Sequence, residues 1–242
     1  FVALVIDGKT FAEDGMVSAV GVTVDGRKVI LGFVQTATEN RRVCAAFLRA
    51  LVERGLRFED GLLVVTDGAK GLHAAVAEVF GAAAVLQRCQ WHKRENVVSY
   101  LPEKHRPAIR RKLQAAYEHS TYDAAARALQ QVRQELRLLN ASALTSLEEG
   151  LEETLTLHRL GVFRELGISL KTTNLLESIH ARVEARVQKV DHWRNSDQKQ
   201  RWLATALLDL EPQLRRVKNY QALPLLQRAL QQHVEKRKQS AA

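Results

Sequence analysis

Two apolar runs that each end in an aspartate constrain the fold of this chain more than any other feature. Residues 1–6 are apolar throughout and precede Asp7, and residues 62–66 form a second run that precedes Asp67. Runs of this length are typical of central strands that are buried on both faces of a sheet. A carboxylate at the end of such a strand lies at the rim, where open α/β sheets bind their ligands. Asp7 and Asp67 are therefore candidate site residues.

A third acidic residue, Glu177, lies near the start of the amphipathic helix that we predict for residues 174–190. The apolar face of this helix carries Leu176, Ile179, Val183 and Val187. Glu184 follows seven residues later on the same side of the helix and is the alternative to Glu177. Two strand-end aspartates and one helical glutamate can hold a pair of divalent cations, which suits phosphodiester chemistry.

Each acid also has a simpler structural explanation. An aspartate that is followed by glycine at a strand end is often only a turn residue. Asn174 as the N-cap, with Glu177 three residues later, forms a capping-box pattern that accounts for the glutamate without any metal. On the residues alone, a turn, a cap and a metal site all remain open.

The order of the predicted elements indicates a mixed sheet with helices on its faces. Strands are predicted at residues 1–7, 16–24, 28–34, 62–66 and 83–87, and helices at residues 40–54, 72–80 and 200–210. Asp25-Gly26 is a strong hairpin signal between the second and third strands. Residues 93–166 are helical in pattern, with no strand signal.

We therefore predict an α/β core that is split along the chain. Residues 1–92 and 171–212 form this core, and residues 93–170 form an all-helical insertion between its two parts. Residues 213–242 are predicted to be a basic C-terminal helix or tail whose end frays. Because the chain starts with Phe1, inside a strand and without an initiator Met, we expect it to be a fragment of a longer protein.

The net charge of +9 is unevenly distributed along the chain. Residues 1–100 carry 12 Lys and Arg against 11 Asp and Glu, whereas residues 101–242 carry 24 against 16. A basic half suggests a polyanionic partner, most simply nucleic acid, and the alternative is an ordinary solvated helix surface. The basic residues around the Glu177 helix are Lys171, Arg182, Arg186, Lys189, Arg194, Lys199 and Arg201.

Composition excludes several other classes of protein. Hydrophobic residues make up 46% of the chain, which is enough for a real core. No stretch approaches the roughly 20 apolar residues that span a bilayer. The two cysteines, Cys44 and Cys89, do not suggest a disulfide framework, so a reducing cytoplasm is expected. Trp91 and Trp193 can stack on bases, although packing is the more common role of tryptophan.

Four motifs follow one another along the chain. They are Asp7-Gly8, Asp67-Gly68-Ala69-Lys70-Gly71, Cys89-Gln90-Trp91-His92 and Thr172-Thr173-Asn174-Leu175-Leu176-Glu177. Together they resemble the motifs of the Mutator-type transposases of bacterial insertion sequences. That family has Asp-Gly after the first strand, Asp-Gly-x-x-Gly after the fourth, then Cys-x-x-His and a Thr-Thr-Asn helix start that carries a Glu. Residues 197–217 also resemble the family's C-terminal region, so the resemblance covers nearly the whole chain.

The resemblance implies a ribonuclease H-like fold: a mixed five-stranded sheet, flanking helices and an all-helical insertion before the Glu-bearing helix. It implies DNA strand cleavage and strand transfer at insertion-sequence ends. The implied catalytic triad is Asp7, Asp67 and Glu177. These residues would hold two Mg²⁺ ions, for which Mn²⁺ would substitute, with Asp7 bridging both ions and each of the other two acids holding one.

The resemblance also implies the partners of the chain. These are transposon ends, target DNA and further copies of the chain assembled on DNA in the bacterial cytoplasm, with no membrane and no small-molecule cofactor. The family's N-terminal DNA-binding region would lie before Phe1. Residues expected to contact DNA or support the active site are Cys89, His92, Lys70, Lys171, Arg182, Arg186 and Lys189. Cys89 and His92 alone are too few ligands for a zinc site.

Two other functions compete with a transposase. The chain can be a transposase-derived DNA-binding protein that has lost catalysis, although all three acids are present. It can also be another ribonuclease H-like nuclease, such as a junction resolvase, although the long insertion and the late glutamate favour a transposase. A phosphatase of the haloacid dehalogenase type is set aside, because its first loop needs a second aspartate where Lys9 stands.

Overall fold

The computed structural model describes residues 1–36, 40–188, 190 and 192–241. One sheet contains β1 (Ala3–Phe11), β2 (Asp14–Val22), β3 (Lys28–Gln35), β4 (Leu62–Thr66) and β5 (Ala84–Arg88). The strands lie in the order β3-β2-β1-β4-β5. β1, β2 and β3 pair antiparallel, whereas β4 pairs parallel with both β1 and β5. The mixed sheet predicted from the order of elements is therefore confirmed.

The central strands β1 and β4 bury side chains on both faces of the sheet, as their apolar runs predict. One face carries Leu4, Ile6, Leu62 and Val64, and the other carries Ala3, Val5, Leu63 and Val65. Because successive side chains of a strand point in opposite directions, an unbroken apolar run requires a packed layer on each side.

Helices supply both layers. In the described part of the chain they are α1 (Arg41–Glu53), α2 (Lys70–Phe80), α3 (Gln90–Ser99), α4 (Arg106–Tyr117), α5 (Tyr122–Leu139), α6 (Ala141–Glu148), α7 (Leu151–Thr154), α8 (Thr156–Arg159), α9 (Phe163–Leu170), α10 (Asn174–Val187), α11 (Ser196–Leu210) and α12 (Leu223–Ala241). The Leu4 face packs against α1 and α2, and the Val5 face packs against α9 to α12. This arrangement is consistent with a ribonuclease H-like fold.

The ends of α1 follow the signals in the sequence. Asn40 Oδ1 accepts a hydrogen bond from Val43 N at 3.0 Å and so caps the helix N-terminus. Gly55 follows the last turn with a φ of +102°, in the left-handed region that glycine adopts without strain. A β-carbon added at Gly55 would meet no atom of the described residues within 4 Å.

The helical segment between β5 and α10 is packed in two ways. Buried side chains between residues 97 and 155 form a hydrophobic cluster of their own. Those between residues 157 and 170 instead join the cluster on the Val5 face of the sheet. The border predicted at residue 93 falls inside α3, and the division of the chain into domains stays a prediction.

Buried polar side chains connect this helical segment to the sheet. Gln90 Nε2 donates to Thr154 O at 2.8 Å, and Arg88 Nη1 donates to Glu149 O at 2.9 Å. Lys93, only 1% exposed, also donates its ammonium group to Glu149 O. Arg88 and Lys93 thus satisfy carbonyl groups at the C-terminal end of α6, where a helix has no internal donors left.

The two ends of the helical segment are also joined directly. Gln90 N donates a hydrogen bond to Lys171 O at 3.0 Å. The chain therefore leaves the sheet at the start of α3 and returns beside the same point, just before α10.

The prediction that β1 ends at Asp7 is wrong, because the strand continues to Phe11. Its antiparallel pairing with β2 extends to the pair Phe11 and Asp14, whereas its parallel pairing with β4 ends at Val5 and Val65. Asp7 therefore lies where β1 loses its parallel neighbour and keeps its antiparallel one.

Helix α12 extends to Ala241, and fraying of the chain end stays a prediction. Leu226 and Leu230 of this helix are fully buried in the cluster on the Val5 face, which holds the helix against the sheet. No helix in the described part of the chain combines the length and hydropathy needed to cross a bilayer.

Candidate active site

Asp7 lies in β1, and Asp67 directly follows β4, the parallel neighbour of β1. β1 and β4 pair Ala3 with Leu63 and Val5 with Val65, so the same register continued by two residues sets Asp7 opposite Asp67. Asp7 is only 5% exposed. The chain therefore brings two carboxylates together at one edge of the parallel part of the sheet.

The Asp67 carboxylate is held by the turn that follows β4. Asp67 Oδ1 accepts a hydrogen bond from Ala69 N at 3.0 Å, which is the turn role that aspartate commonly plays. The next residue, Gly68, has a φ of +102°, and a β-carbon there would overlap the Arg88 guanidinium group. The turn thus depends on a glycine that Arg88 covers, and Arg88 was not predicted as a site residue.

Glu177 reaches the same region from the start of α10. The N-cap of this helix is Thr173, so the predicted capping box with Asn174 as N-cap is wrong. The Thr173 side chain is fully buried, and its hydroxyl donates to Glu177 Oε1 at 3.0 Å. The hydroxyl also lies 3.7 Å from Cys89 Sγ and 3.4 Å from His92 Nδ1. Thr173 therefore orients the glutamate and connects it to the Cys-x-x-His motif.

His92 interacts with all three acids. Its Nε2 atom is 3.9 Å from Glu177 Oε1. The hydrogen bond with Cys89 raises the pKa of His92 to about 9, with further contributions from the negative charges of Asp7 and Asp67 and against the effect of burial. The raised pKa favours the cationic form of His92, whose charge would balance part of the negative charge of the site.

The three acids do not form a complete metal-binding site by themselves. Among the described residues, no three His, Cys, Asp or Glu side chains are placed to share one metal ion. The donor chemistry fits magnesium, which prefers carboxylate oxygens and retains several waters. The buried Asp7, the fixed Asp67 and the orientable Glu177 supply three such groups, whereas Cys89 and His92 lack the further ligands that zinc requires.

Glu184, the alternative to Glu177, has a different neighbour. Its Oε1 atom pairs with Lys9 Nζ at 2.7 Å. Lys9 lies two residues beyond Asp7 on β1, so this pair lies further along the strand than the carboxylate edge. The structure thus sets Glu177 beside His92 and Glu184 beside Lys9.

The predicted basic residues are divided between the site and other surfaces. Lys70 is 89% exposed and lies 3.5 Å from Glu149 Oε1. Lys171 lies at the edge of the site, where its Nζ pairs with Glu118 at 2.6 Å. Lys189 lies outside the described residues.

Arg182 and Arg186 lie on the side of α10 that faces away from the site. Arg182 Nη2 donates to Gln213 Oε1 at 2.8 Å, and Arg186 donates to Asp209 Oδ2 from both Nε and Nη2, at 3.0 and 2.8 Å. Both arginines connect α10 to α11 and the turn that follows it.

His180, on the buried side of α10, predicts an acid-sensitive fold. Burial, helped by the positive charge of Lys9, lowers the pKa of His180 to about 4, while Glu184 opposes this shift. Below pH 6.5 the unfolded chain binds a proton that the folded chain does not, so the free energy of unfolding falls as the pH falls towards 4. We expect His180 to account for about 2 kcal/mol of loss between pH 7 and pH 4.5.

The measurement is urea unfolding at these two pH values for the wild type and for His180→Gln. The glutamine cannot titrate, and its amide can still bond to Ser18 Oγ, which His180 Nε2 contacts at 3.2 Å. Other titrating groups are common to both proteins, so the difference between them isolates His180. An equal acid loss in both proteins would show that His180 does not control it.

The known proteins to which this chain is similar are transposases. The sequence matches the family described as "Transposase, Mutator family" over residues 4–216. It is 34% identical over 179 residues to the transposase for insertion sequence element ISRM5 of Rhizobium meliloti (strain 1021), covering 74% of this chain and 44% of the relative.

Two further relatives are also transposases for insertion sequence elements. The transposase for IS256 in transposon Tn4001 of Staphylococcus aureus is 27% identical over 194 residues, covering 79% of this chain and 48% of the relative. The transposase for IS905 of Lactococcus lactis subsp. lactis (strain IL1403) is 26% identical over 200 residues, covering 83% of this chain and 50% of the relative. The chain spans about half the length of these curated relatives. The match over residues 4–216 shows that the chain belongs to the Mutator family of transposases.

Proposed function

We propose that this chain is the catalytic part of a DNA transposase that cleaves DNA strands and transfers them at the ends of an insertion sequence. The observation that carries this proposal is the placement of the three acids. The register of β1 and β4, continued by two residues, sets Asp7 opposite Asp67. His92 interacts with the charges of both aspartates, and its Nε2 atom lies 3.9 Å from Glu177 Oε1. The names of the bacterial relatives support the same activity.

In this proposal Asp7, Asp67 and Glu177 hold two Mg²⁺ ions, or Mn²⁺ in their place. When bound, these ions would polarise the scissile phosphate and activate the attacking hydroxyl. Asp7 contributes a carboxylate that the sheet shields from water, and Asp67 contributes one whose orientation the Ala69 N–H group fixes. The Thr173 hydroxyl orients Glu177.

His92 has a separate part in the proposal. As a cation among carboxylates, it offsets their mutual repulsion and supplies positive charge beside the phosphate. Cys89, fully buried beside it, supports this charge through their hydrogen bond. The partners in this proposal are transposon ends, target DNA and further copies of the chain, and the reaction would occur in the bacterial cytoplasm.

The experiment that tests the proposal is strand cleavage by the purified chain. The substrate is end-labelled duplex DNA that contains the segments on either side of the gene that encodes this chain. We expect nicked and joined products with Mg²⁺ or Mn²⁺ and none with EDTA, because carboxylate ligands alone cannot activate the nucleophile. Binding of the same DNA without cleavage under any metal condition would favour the alternative of an inactive DNA-binding protein.

A further inference from the structure

A second recess lies beside the candidate active site, and none of the three acids lines it. It has a volume of about 160 Å³ and lies between the starts of α3 and α10 and the last turns of α4. Its wall includes Gln90, Trp91, Gln114, Lys171 and Asn174. We call it the Trp91 pocket.

Two residues that line the Trp91 pocket are sequence neighbours of residues in the candidate active site. Trp91 precedes His92, and their rings meet edge to face with centroids 4.9 Å apart. Asn174 follows Thr173, the residue that orients Glu177. A ligand in this pocket would therefore lie next to the candidate active site.

Trp91 gives the pocket an aromatic surface that is partly exposed to solvent. Trp91 is 43% exposed, although the residues beside it in the same motif are covered. Cys89 and Gln90 before it are buried, and His92 after it is half-buried. An aromatic face left in solvent beside a recess is a platform on which one heterocyclic base can stack.

The polar groups of the pocket suit the edge of a base. Gln90 is 4% exposed, and its Oε1 atom is buried without a hydrogen-bond partner among the described residues. Its Nε2 atom is fixed by Thr154 O, so the acceptor cannot turn away. The Asn174 amide adds a donor and an acceptor to the same wall, and the Gln114 amide adds a donor, because its Oε1 atom already accepts from Arg94 Nη1 at 3.1 Å. An unpaired acceptor on a buried residue that lines a recess suits a ligand that carries an N–H donor.

The charges around the pocket distinguish a base from a phosphate. The Lys171 ammonium pairs with Glu118 at 2.6 Å, and Arg94 pairs with Glu95 at 2.9 Å. The cations in the wall are therefore neutralised by carboxylates, which favours a neutral, planar, hydrogen-bonding group over an anion.

We infer that the Trp91 pocket holds a single DNA base that is unstacked from its neighbours, next to the phosphate at the three acids. This inference rests on the proposed function and deepens it, because it names the part of the substrate that lies beside the reacting strand. Enzymes that must separate one nucleotide from a duplex hold its base in this way, by stacking and by hydrogen bonds to its edge.

The experiment is an abasic scan of DNA binding. A labelled duplex with an unpaired end, taken from the segments that flank the coding sequence, is bound in Ca²⁺, and each nucleotide near the end is replaced in turn by an abasic one. We expect one position at which the wild type loses about ten- to a hundredfold in affinity when the base is absent. Trp91→Ala should bind intact DNA that much more weakly and should no longer respond to the abasic nucleotide at that position.

Two further variants make the result specific. Trp91→Phe keeps an aromatic face and should recover part of the response. Trp202→Ala removes a tryptophan of nearly equal exposure, 42%, on α11 and should behave as the wild type. Thermal unfolding of each variant checks that the fold is retained.

The outcomes separate this inference from the proposed function. If the wild type cleaves DNA but no position distinguishes it from Trp91→Ala, the pocket does not hold a base and the inference is overturned while the transposase assignment stands. If the wild type neither binds nor cleaves the DNA, the proposed function fails, and the inference fails with it. A response equal in Trp202→Ala and Trp91→Ala would also overturn the inference.

Discussion

Glu177→Gln is expected to reduce metal-dependent strand cleavage by about a thousandfold or more while leaving the fold intact. The change removes one negative charge from the ligands, and a thousandfold loss corresponds to about 4 kcal/mol of transition-state stabilisation. The fold should persist because the Glu177 side chain is 40% exposed and the Thr173 hydroxyl can still donate to an amide oxygen. The measurement is the single-turnover cleavage rate, with circular dichroism and thermal unfolding as checks on the fold.

The same helix provides the matched control. Glu184→Gln makes the identical chemical change seven residues away and breaks the exposed ion pair with Lys9, which is worth at most about 1 kcal/mol. We expect this variant to cleave DNA at close to the wild-type rate, and Asp67→Asn to be as inactive as Glu177→Gln. An inactive Glu184→Gln together with an active Glu177→Gln would show that the third ligand is Glu184 and not Glu177.

Gly68→Ala is expected to destabilise the chain by about 3–5 kcal/mol and to abolish cleavage in the fraction that remains folded. Alanine at a φ of +102° costs about 1–2 kcal/mol. Its β-carbon would also displace the buried Arg88 side chain from Glu149 O, and loss of a hydrogen bond from a charged group costs about 1.5–3 kcal/mol more. Because Gly68 follows Asp67, the same displacement moves the carboxylate.

Gly55 separates the two contributions. It has the same φ of +102°, but a β-carbon there meets no atom of the described residues within 4 Å. Gly55→Ala should therefore cost only the backbone strain, about 1–2 kcal/mol, and should leave cleavage unchanged. Urea unfolding of both variants gives the two free energies, and equal losses would show that the contact with Arg88 carries no energy.

The sheet could be predicted well from the sequence because its signals are local. Apolar runs on β1 and β4 require burial on both faces, and the Asp25-Gly26 pair defines the hairpin between β2 and β3. The end of β1 was missed because Asp7-Gly8 resembles a turn, whereas the pairing that continues the strand comes from β2. Strand pairing depends on a partner, and a single run of residues does not reveal the partner's length.

The site could be predicted only in part, for the same reason. The motifs identified Asp7, Asp67 and Glu177 as a group, and their catalytic role remains a prediction. Thr173 and Asn174 are equally good N-cap candidates on residue type, since either side chain can begin a helix.

The partners of the arginines on α10 could not be predicted either. Arg186 pairs with Asp209, 23 residues away. Helical periodicity identifies the side of a helix on which a residue lies, but not the element that packs against that side. Arg88 was missed for the same reason, because Gly68 and Glu149 come from distant parts of the sequence.

The hydrogen bond between Gln90 N and Lys171 O has a consequence for how the length of this chain can change. Once both ends of a loop are fixed side by side, the entropy of closing it grows only with the logarithm of its length, so doubling the loop costs about 0.6 kcal/mol. Residues added to or removed from the surface turns of the helical segment would therefore alter stability little. Because the two ends stay adjacent, Asp67 and Glu177 would keep their separation in space however far apart they become along the chain.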